Sequence, residues 1–376
     1  MAIYNLCFSL SLKTPSYGTI LIWVKKIGHY KLEAEPIKAD DWIIIIDESI
    51  EFGHDKLLVI YGVRSSSIDF TKALDYKALT PLTIVAKESW TGSLIEKEIR
   101  KIELKIGRII YAVADGGNAI SKSLKLTSIP HINDITHKFA WFLKKLYKEH
   151  EDFVKYTKTM AAMRGKLSLS KLSHILPPNQ RFHSRFMNIE IISDWGVKVL
   201  RYLDCSDKKE IEYLKLKWVF NFRELIAELL QVSKTLNAIM GIIKTQGLSS
   251  NTIKQSAKML KYITVNNVRT KQLKIKVIEY LKESKDSVKT IDKLLCTSDI
   301  IESSFGKYKN YISNNPMTGI TDLSLCMAAF TCNIDEGNIK KAMESTKYQY
   351  VIDWSKRNIG ITNLSKRKMV LKNERK

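Results

Sequence analysis

The sequence predicts a mixed α/β protein, a sheet of strands and helices interrupted by a large all-α insertion. Three observations lead there. Four short runs rich in Ile, Val and Leu fall within residues 42–114 and are interleaved with helical patterns. Strand signals then nearly vanish from about 137 to 293, and a fresh helix start follows near 298. The resulting order, β-β-β-α-β-α-β-α followed by helices, fits neither a sandwich nor a bundle. With 376 residues the chain is long enough for two or three domains and a sizeable core. A chain that is 45% hydrophobic and 27% charged, with seven Pro and 16 Gly, reads as globular.

Residues 1–40 form an N-terminal extension. Within them SYGTILIWVKKIG (16–28) predicts one helix, with Ser16 as N-cap, Ile20, Val24 and Ile27 at helical spacing, and Gly28 placed to end it. One short helix makes no domain; it is either the remnant of a helix-turn-helix or a packed extension. The first part of the core, 41–136, opens with WIIII (42–46), a buried strand running into Asp47. KLLVIYGV (56–63) is the second strand, and EFGHDK between them supplies a hairpin turn. PLTIVA (81–86) is the third. SLIEKEIRKIELKIG (93–107) is a helix with Ser93 as N-cap, Glu96 at N3 and Gly107 as C-cap. RIIYAVA (108–114) is a fourth strand ending at Asp115. A helix from GGNAISKSLK and a short strand near Ile132 complete this part, which leads into the helix HKFAWFLKKLYKEH (137–150).

The insertion, 137–295, carries helical patterns at 137–163, 194–204, 208–246, 250–263 and 268–284, broken by LPPNQRFHSR and QGLSSN. The last part, 296–376, begins with a helix over 298–310 capped by Thr297 or Ser298. It continues helically over 319–358 and ends in a basic tail, 365–376, expected to be mobile.

Charge narrows the partner. Lys and Arg number 61 against 39 Asp and Glu, a net charge of +22 and a pI near 9.6, which calls for a polyanion. Five scattered Cys contain no C-x-x-C pair, against a zinc knuckle or a disulfide framework and in favour of a reducing cytosolic setting. No run reaches the roughly 18 uninterrupted apolar residues of a membrane span. The opening MAIYNLCFSLSL lacks a basic n-region and a small-residue cleavage site, so export is not expected. Neither G-x-G-x-x-G nor a Walker A pattern occurs. Nucleic acid is the leading partner.

Three acidic residues stand where a nuclease of the RNase H type needs them. Asp47 ends the four-isoleucine run, Asp115 ends the fourth strand where open α/β sheets place their ligands, and Glu302 lies in the first turn of the helix after the insertion. Hard oxygen ligands on such elements suit Mg²⁺, with Mn²⁺ as substitute. Two ions about 4 Å apart would clamp the attacking and leaving oxygens of an in-line phosphoryl transfer. Each residue also has a plain alternative: a turn cap for Asp47, an N-cap for Asp115 before two glycines, a dipole partner for Glu302. Asp134 and His137 are second-rank, as active-site groups or as N-cap and partner of the following helix. On the 299–309 helix, Gly306 lies one turn from Glu302 and would let a DNA backbone approach; Lys309 lies near the same face.

Several stretches resemble the DD(E) transposases of bacterial insertion sequences, a family with an RNase H-like fold. WIIIIDESIEFGHDKLLVIYGV resembles that family's first catalytic strand and hairpin. YAVADGGNAISKSLK followed by HINDITHKFAWFLKK resembles the second-aspartate block of the Mutator and related groups, with Asp134-Ile135-Thr136-His137 in place of a C-x-x-H-type motif. CTSDIIESSFGKYKN resembles the glutamate helix, which often reads E-S-x-F-G-x-x-K. The resemblance covers roughly 42–150 and 296–310. It implies metal-dependent strand cleavage and strand transfer by Asp47, Asp115 and Glu302, in a dimer or larger assembly, in a cytoplasmic, nucleoid-associated bacterial protein.

For DNA contact the insertion is the most informative segment. Residues 229–278 contain no Asp or Glu but hold Lys234, Lys244, Lys254, Lys258, Lys261, Arg269, Lys271, Lys274 and Lys276, whereas a merely solvated surface mixes both signs. Arg181 and Arg185 flank a second cluster on a Pro-led loop. Trp195 and Trp218 read as core residues. Two other readings stay open: a related nuclease without strand transfer, and a noncatalytic DNA-binding protein descended from such an enzyme.

Overall fold

The computed structural model describes residues 14–49, 55–170, 172–180, 185–209, 211–312 and 319–373. The hairpin turn, Cys7 and residues 374–376 of the tail lie outside them.

Five strands form one sheet in the order β3-β2-β1-β4-β5. They are β1 (Ala39–Glu48), β2 (Lys56–Arg64), β3 (Thr80–Lys87), β4 (Gly107–Ala114) and β5 (His131–Asn133). β1 pairs antiparallel with β2 and β2 antiparallel with β3, whereas β1 and β4 run parallel. This is an RNase H-like mixed sheet. Trp42 through Ile46 are all buried: a strand covered on both faces shows a continuous apolar run instead of alternation.

One face is covered by α2 (Gly92–Ile106) and α3 (Asn118–Thr127). There Ile44, Ile46, Ala112 and Ala114 pack with Ile95, Ile99, Ile102, Ile120 and Leu124. Helix α2 starts two residues earlier than expected: its cap is Thr91 instead of Ser93, and the Thr91 hydroxyl accepts from Leu94 N–H at 3.3 Å. Gly107 does end it, at φ +94°.

Helix α1 (Tyr17–Glu33) is capped by Ser16 as expected but runs past Gly28. That glycine sits mid-helix because the Leu325 backbone occupies the place a Cβ would take. Lys25 pairs with Asp322 at 2.8 Å and Lys26 donates to the Met343 carbonyl at 2.6 Å. Helix α1 is therefore a packed extension, docked against the C-terminal helices.

Two compact units result. The α/β unit takes Met1–Asp69, Ala73–Ile132 and Ser298–Lys376; the helical unit takes Phe70–Lys72 and Asn133–Thr297. The helical unit contains α4 (Ile135–Tyr147), α5 (Glu151–Leu167), α6 (Ile189–Cys205), α7 (Ile211–Leu216), α8 (Arg223–Gln246), α9 (Ser250–Met259) and α10 (Val268–Ser287). The run 211–246 holds an 18-residue window of mean hydropathy 1.3, long and apolar enough to cross a membrane. Half of that window is buried inside the unit, Leu229, Val232 and Ile239 among its core residues.

Chain return to the α/β unit brings α11 (Asp299–Ile312), then α12 (Cys326–Ala329), α13 (Glu336–Ser345), α14 (Tyr348–Asn358) and α15 (Asn363–Asn373). The basic C-terminal segment is thus helical through 373, where a mobile tail was expected.

Candidate phosphoryl-transfer site

Strand register sets the site. Ile46 of β1 is level with Ala114 of parallel β4, so Asp47 and Asp115 follow at neighbouring C-terminal strand ends. Alternation then fixes the face. Ile44, Ile46, Ala112 and Ala114 point toward α2 and α3, so Asp47 and Asp115 continue the opposite face. Helix α11, which carries Glu302, packs on that opposite face: Tyr61, directly across from Ile45, reaches Ser304 of α11 with its hydroxyl at 3.1 Å. Ile301, Ser304, Phe305 and Tyr308 are the buried side of α11, and Glu302 is half-buried beside them.

Local hydrogen bonds orient the two aspartates. Asp47 Oδ1 accepts the Glu48 N–H at 2.8 Å. Asp115 Oδ1 accepts the Gly117 N–H at 2.9 Å, which turns the chain into α3. These bonds are the turn-capping role each residue could have had alone; the register adds the shared face.

A fourth carboxylate, Glu48, stands at the same rim and escaped the sequence reading. Burial pushes its pKa up, Lys56 at 3.7 Å pulls it down, and the charge of Asp115 raises it further. Its Oε2 is buried without a hydrogen-bond partner. The only sequence signal was an acidic pair, Asp47-Glu48, after a fully apolar run.

Hard carboxylate oxygens on two adjacent strand ends fit a Mg²⁺-type ion, which takes one or two protein carboxylates and fills its remaining positions from substrate phosphate and water. Among the described residues, no group of three or more His, Cys, Asp or Glu side chains is drawn together tightly enough to hold a metal ion. Asp47 and Asp115 stand on adjacent strand ends, and with Glu302 they do not close on one point.

Asp134 is fully buried and caps α4, accepting the His137 N–H at 2.9 Å. It lies with Tyr280 and Cys296 in the helical unit, and its charge helps raise both of their pKa values above the ordinary range, behind burial.

The basic residues divide by environment. Lys254, Lys258, Lys261 and Lys271 are exposed. Lys274 is half-buried and donates to the Ile263 carbonyl at 2.8 Å, and Lys276 is half-buried. Arg269 is different: its guanidinium grips Glu228 through two bonds, Nε–Oε1 at 3.0 Å and Nη2–Oε2 at 2.7 Å. Its charge is spent on a buried carboxylate. Lys309 is half-buried on α11, and Gly306 faces open space. Arg181 and the side chain of Arg185 lie outside the described residues. Trp195 stacks on Trp218 with ring centres 6.1 Å apart, a packing role.

The chain is similar in structure to a chain of a Drosophila P element transposase strand transfer complex. The two share 10% identity over 90% of this chain and 89% of that one, with a TM-score of 0.44. No protein-family profile matches the sequence, and no curated protein matches it.

Proposed function

We propose that the chain is a DNA transposase of the DDE type, cutting and joining DNA at the ends of a mobile element. The observation that carries this reading is the register of β1 and β4, with Asp47 and Asp115 level on the face that α11 crosses with Glu302. Open α/β sheets bind ligands at the carboxyl ends of their strands, where these residues stand. A net charge of +22 suits a polyanionic substrate.

In this reading Asp47 and Asp115 hold the divalent ions and Glu302 completes the set on substrate binding. Bound there, the metal supplies Lewis-acid stabilisation of the charge that develops at the scissile phosphate. The exposed lysines of α9 and α10 hold the phosphate backbone, and Gly306 leaves room for the strand beside Glu302. The chain acts as a dimer or larger assembly that pairs two element ends.

One observation favours a second reading, a noncatalytic DNA-binding protein: the three carboxylates do not close into a metal cluster. A single experiment separates the two. The purified chain is incubated with Mg²⁺ and a plasmid carrying the DNA that flanks its own coding sequence. Excision ends and joined products are expected. Tight DNA binding without any strand break is the result that supports the second reading.

A further inference from the structure

Helix α4 of the helical unit presents an uncovered aromatic ring between two cations. Its buried side is Ile135, Phe139, Phe142, Leu143 and Tyr147. Trp141 stands off that side, 45% exposed, and leans edge-on against Phe142 with ring centres 5.6 Å apart. Lys138 lies one turn before it and Lys145 one turn after. Their ammonium groups are 5.0 and 5.6 Å from the centre of the indole, within the range of a cation–π contact.

The two lysines are held differently. Lys138 is half-buried and also lies 5.7 Å from the Phe142 ring and 5.8 Å from that of Tyr280 on α10. Tyr280 is itself fixed, its hydroxyl donating to the Asn133 carbonyl at 2.7 Å. Three rings therefore place the Lys138 ammonium before any ligand arrives, so little side-chain freedom is left to lose on binding. Aromatic faces are weak acceptors, and its N–H groups remain open to an oxygen. Lys145 is exposed and free to turn from the indole to a ligand.

Helix α4 holds no Asp or Glu, and among the described residues neither lysine pairs with a carboxylate. Fold stability gives no reason to gather two unanswered cations at an uncovered ring. A ligand that is both anionic and flat gives one. Nucleic acid combines the two, and aromatic side chains beside cations are how proteins hold unpaired bases. In a duplex each base face is covered by its neighbours, so only an unpaired nucleotide can use the indole.

We propose that Trp141 is a stacking platform for an unpaired DNA base, with Lys138 and Lys145 on the phosphates beside it. This rests on DNA being the partner, as proposed above.

The test compares the affinity of the full chain for three labelled DNAs by fluorescence anisotropy. One is a blunt duplex. The second is the same duplex with an unpaired thymine tail. The third carries a tail of abasic sites, which keep the phosphates and lack the bases. The wild type should bind the thymine tail about 5- to 100-fold more tightly than the abasic tail, the range for one stacked base. In Trp141→Ala that preference should vanish, and in Trp141→Phe, which keeps a ring, part of it should remain. Lys138→Gln should lower the slope of log affinity against log salt on the thymine-tailed DNA by about 0.7.

A wild type that treats thymine and abasic tails alike would overturn the proposal and leave DNA as the partner. So would a Trp141→Ala chain with its preference intact, or a Lys138→Gln chain with an unchanged slope. An equal loss on all three DNAs in Trp141→Ala would assign the ring to the fold and overturn it as well. Binding of none of the three by the folded wild type would overturn the proposal and the DNA reading together.

Discussion

Two kinds of acidic residue occupy the two units, and the contrast separates structure from site. In the helical unit Glu228 is enclosed, its side chain 4% exposed. It receives four hydrogen bonds from three residues: Tyr147 at 2.7 Å, Asn267 at 2.7 Å and Arg269 at 3.0 and 2.7 Å. In the α/β unit Asp47 and Asp115 stand at a strand rim, each holding an amide of its own turn. Glu228 has its charge answered from inside the fold. The rim aspartates are half-buried and oriented by the fold, the placement that the proposed site asks of groups meeting a cation and a phosphate.

Substitution at each place breaks the comparison in opposite ways. Arg269→Ala leaves a buried carboxylate without its cation and should cost about 3–5 kcal/mol in urea unfolding. Asp47→Asn should cost less than about 1 kcal/mol in the same measurement, because the amide oxygen can still accept the Glu48 N–H. Equal losses would erase the distinction.

Acid titration sharpens it. Burial raises the pKa of Glu228, but bonds from Arg269 and Tyr147 outweigh that and hold it below the ordinary 4.5. The folded chain therefore binds this proton less readily than the unfolded chain. The stabilisation is complete above the ordinary value and is lost as the pH falls through the depressed one. Circular dichroism melts between about pH 6 and pH 3 should show the loss, and Glu228→Gln should flatten it. A wild-type curve as flat as the variant's would contradict the assignment.

The basic residues divide along the same line. Replacing exposed Lys258 and Lys271 by Ala should lower the slope of log affinity for DNA against log salt by about 0.9 per lost phosphate contact. An unchanged slope would take those lysines off the DNA path. Gly306→Ala gives the smallest effect. A Cβ there meets nothing within 4 Å, so the helix should gain up to about 1 kcal/mol. Strand cleavage should fall at the same time if a DNA backbone runs beside Glu302; a stabilised variant of full activity would remove that role.

How much of this was legible in the sequence follows from the range of the forces. Strands β1 and β4 were visible because a doubly covered strand must be apolar along its length, and Asp47 and Asp115 because each is the first charge after such a run. Their common face was not visible, since it depends on register between strands 68 residues apart in the paired positions Ile46 and Ala114. Glu228 and Arg269 lie 41 residues apart with no local pattern to link them, so Arg269 read as one more cation of a basic stretch. Gly28 read as a helix stop because its reason, the Leu325 backbone, arrives from nearly the other end of the chain. Tyr61 gave no signal at all beyond being a strand residue.

The central claim is that Asp47, Asp115 and Glu302 serve one phosphoryl-transfer site. Its most direct test is nicking of supercoiled plasmid by the purified chain with Mg²⁺, beside Asp47→Asn, Asp115→Asn and Glu302→Gln. The account predicts metal-dependent nicking by the wild type and a loss of about a thousandfold or more in each variant, all three remaining folded. Equal nicking by the wild type and Asp115→Asn would contradict it.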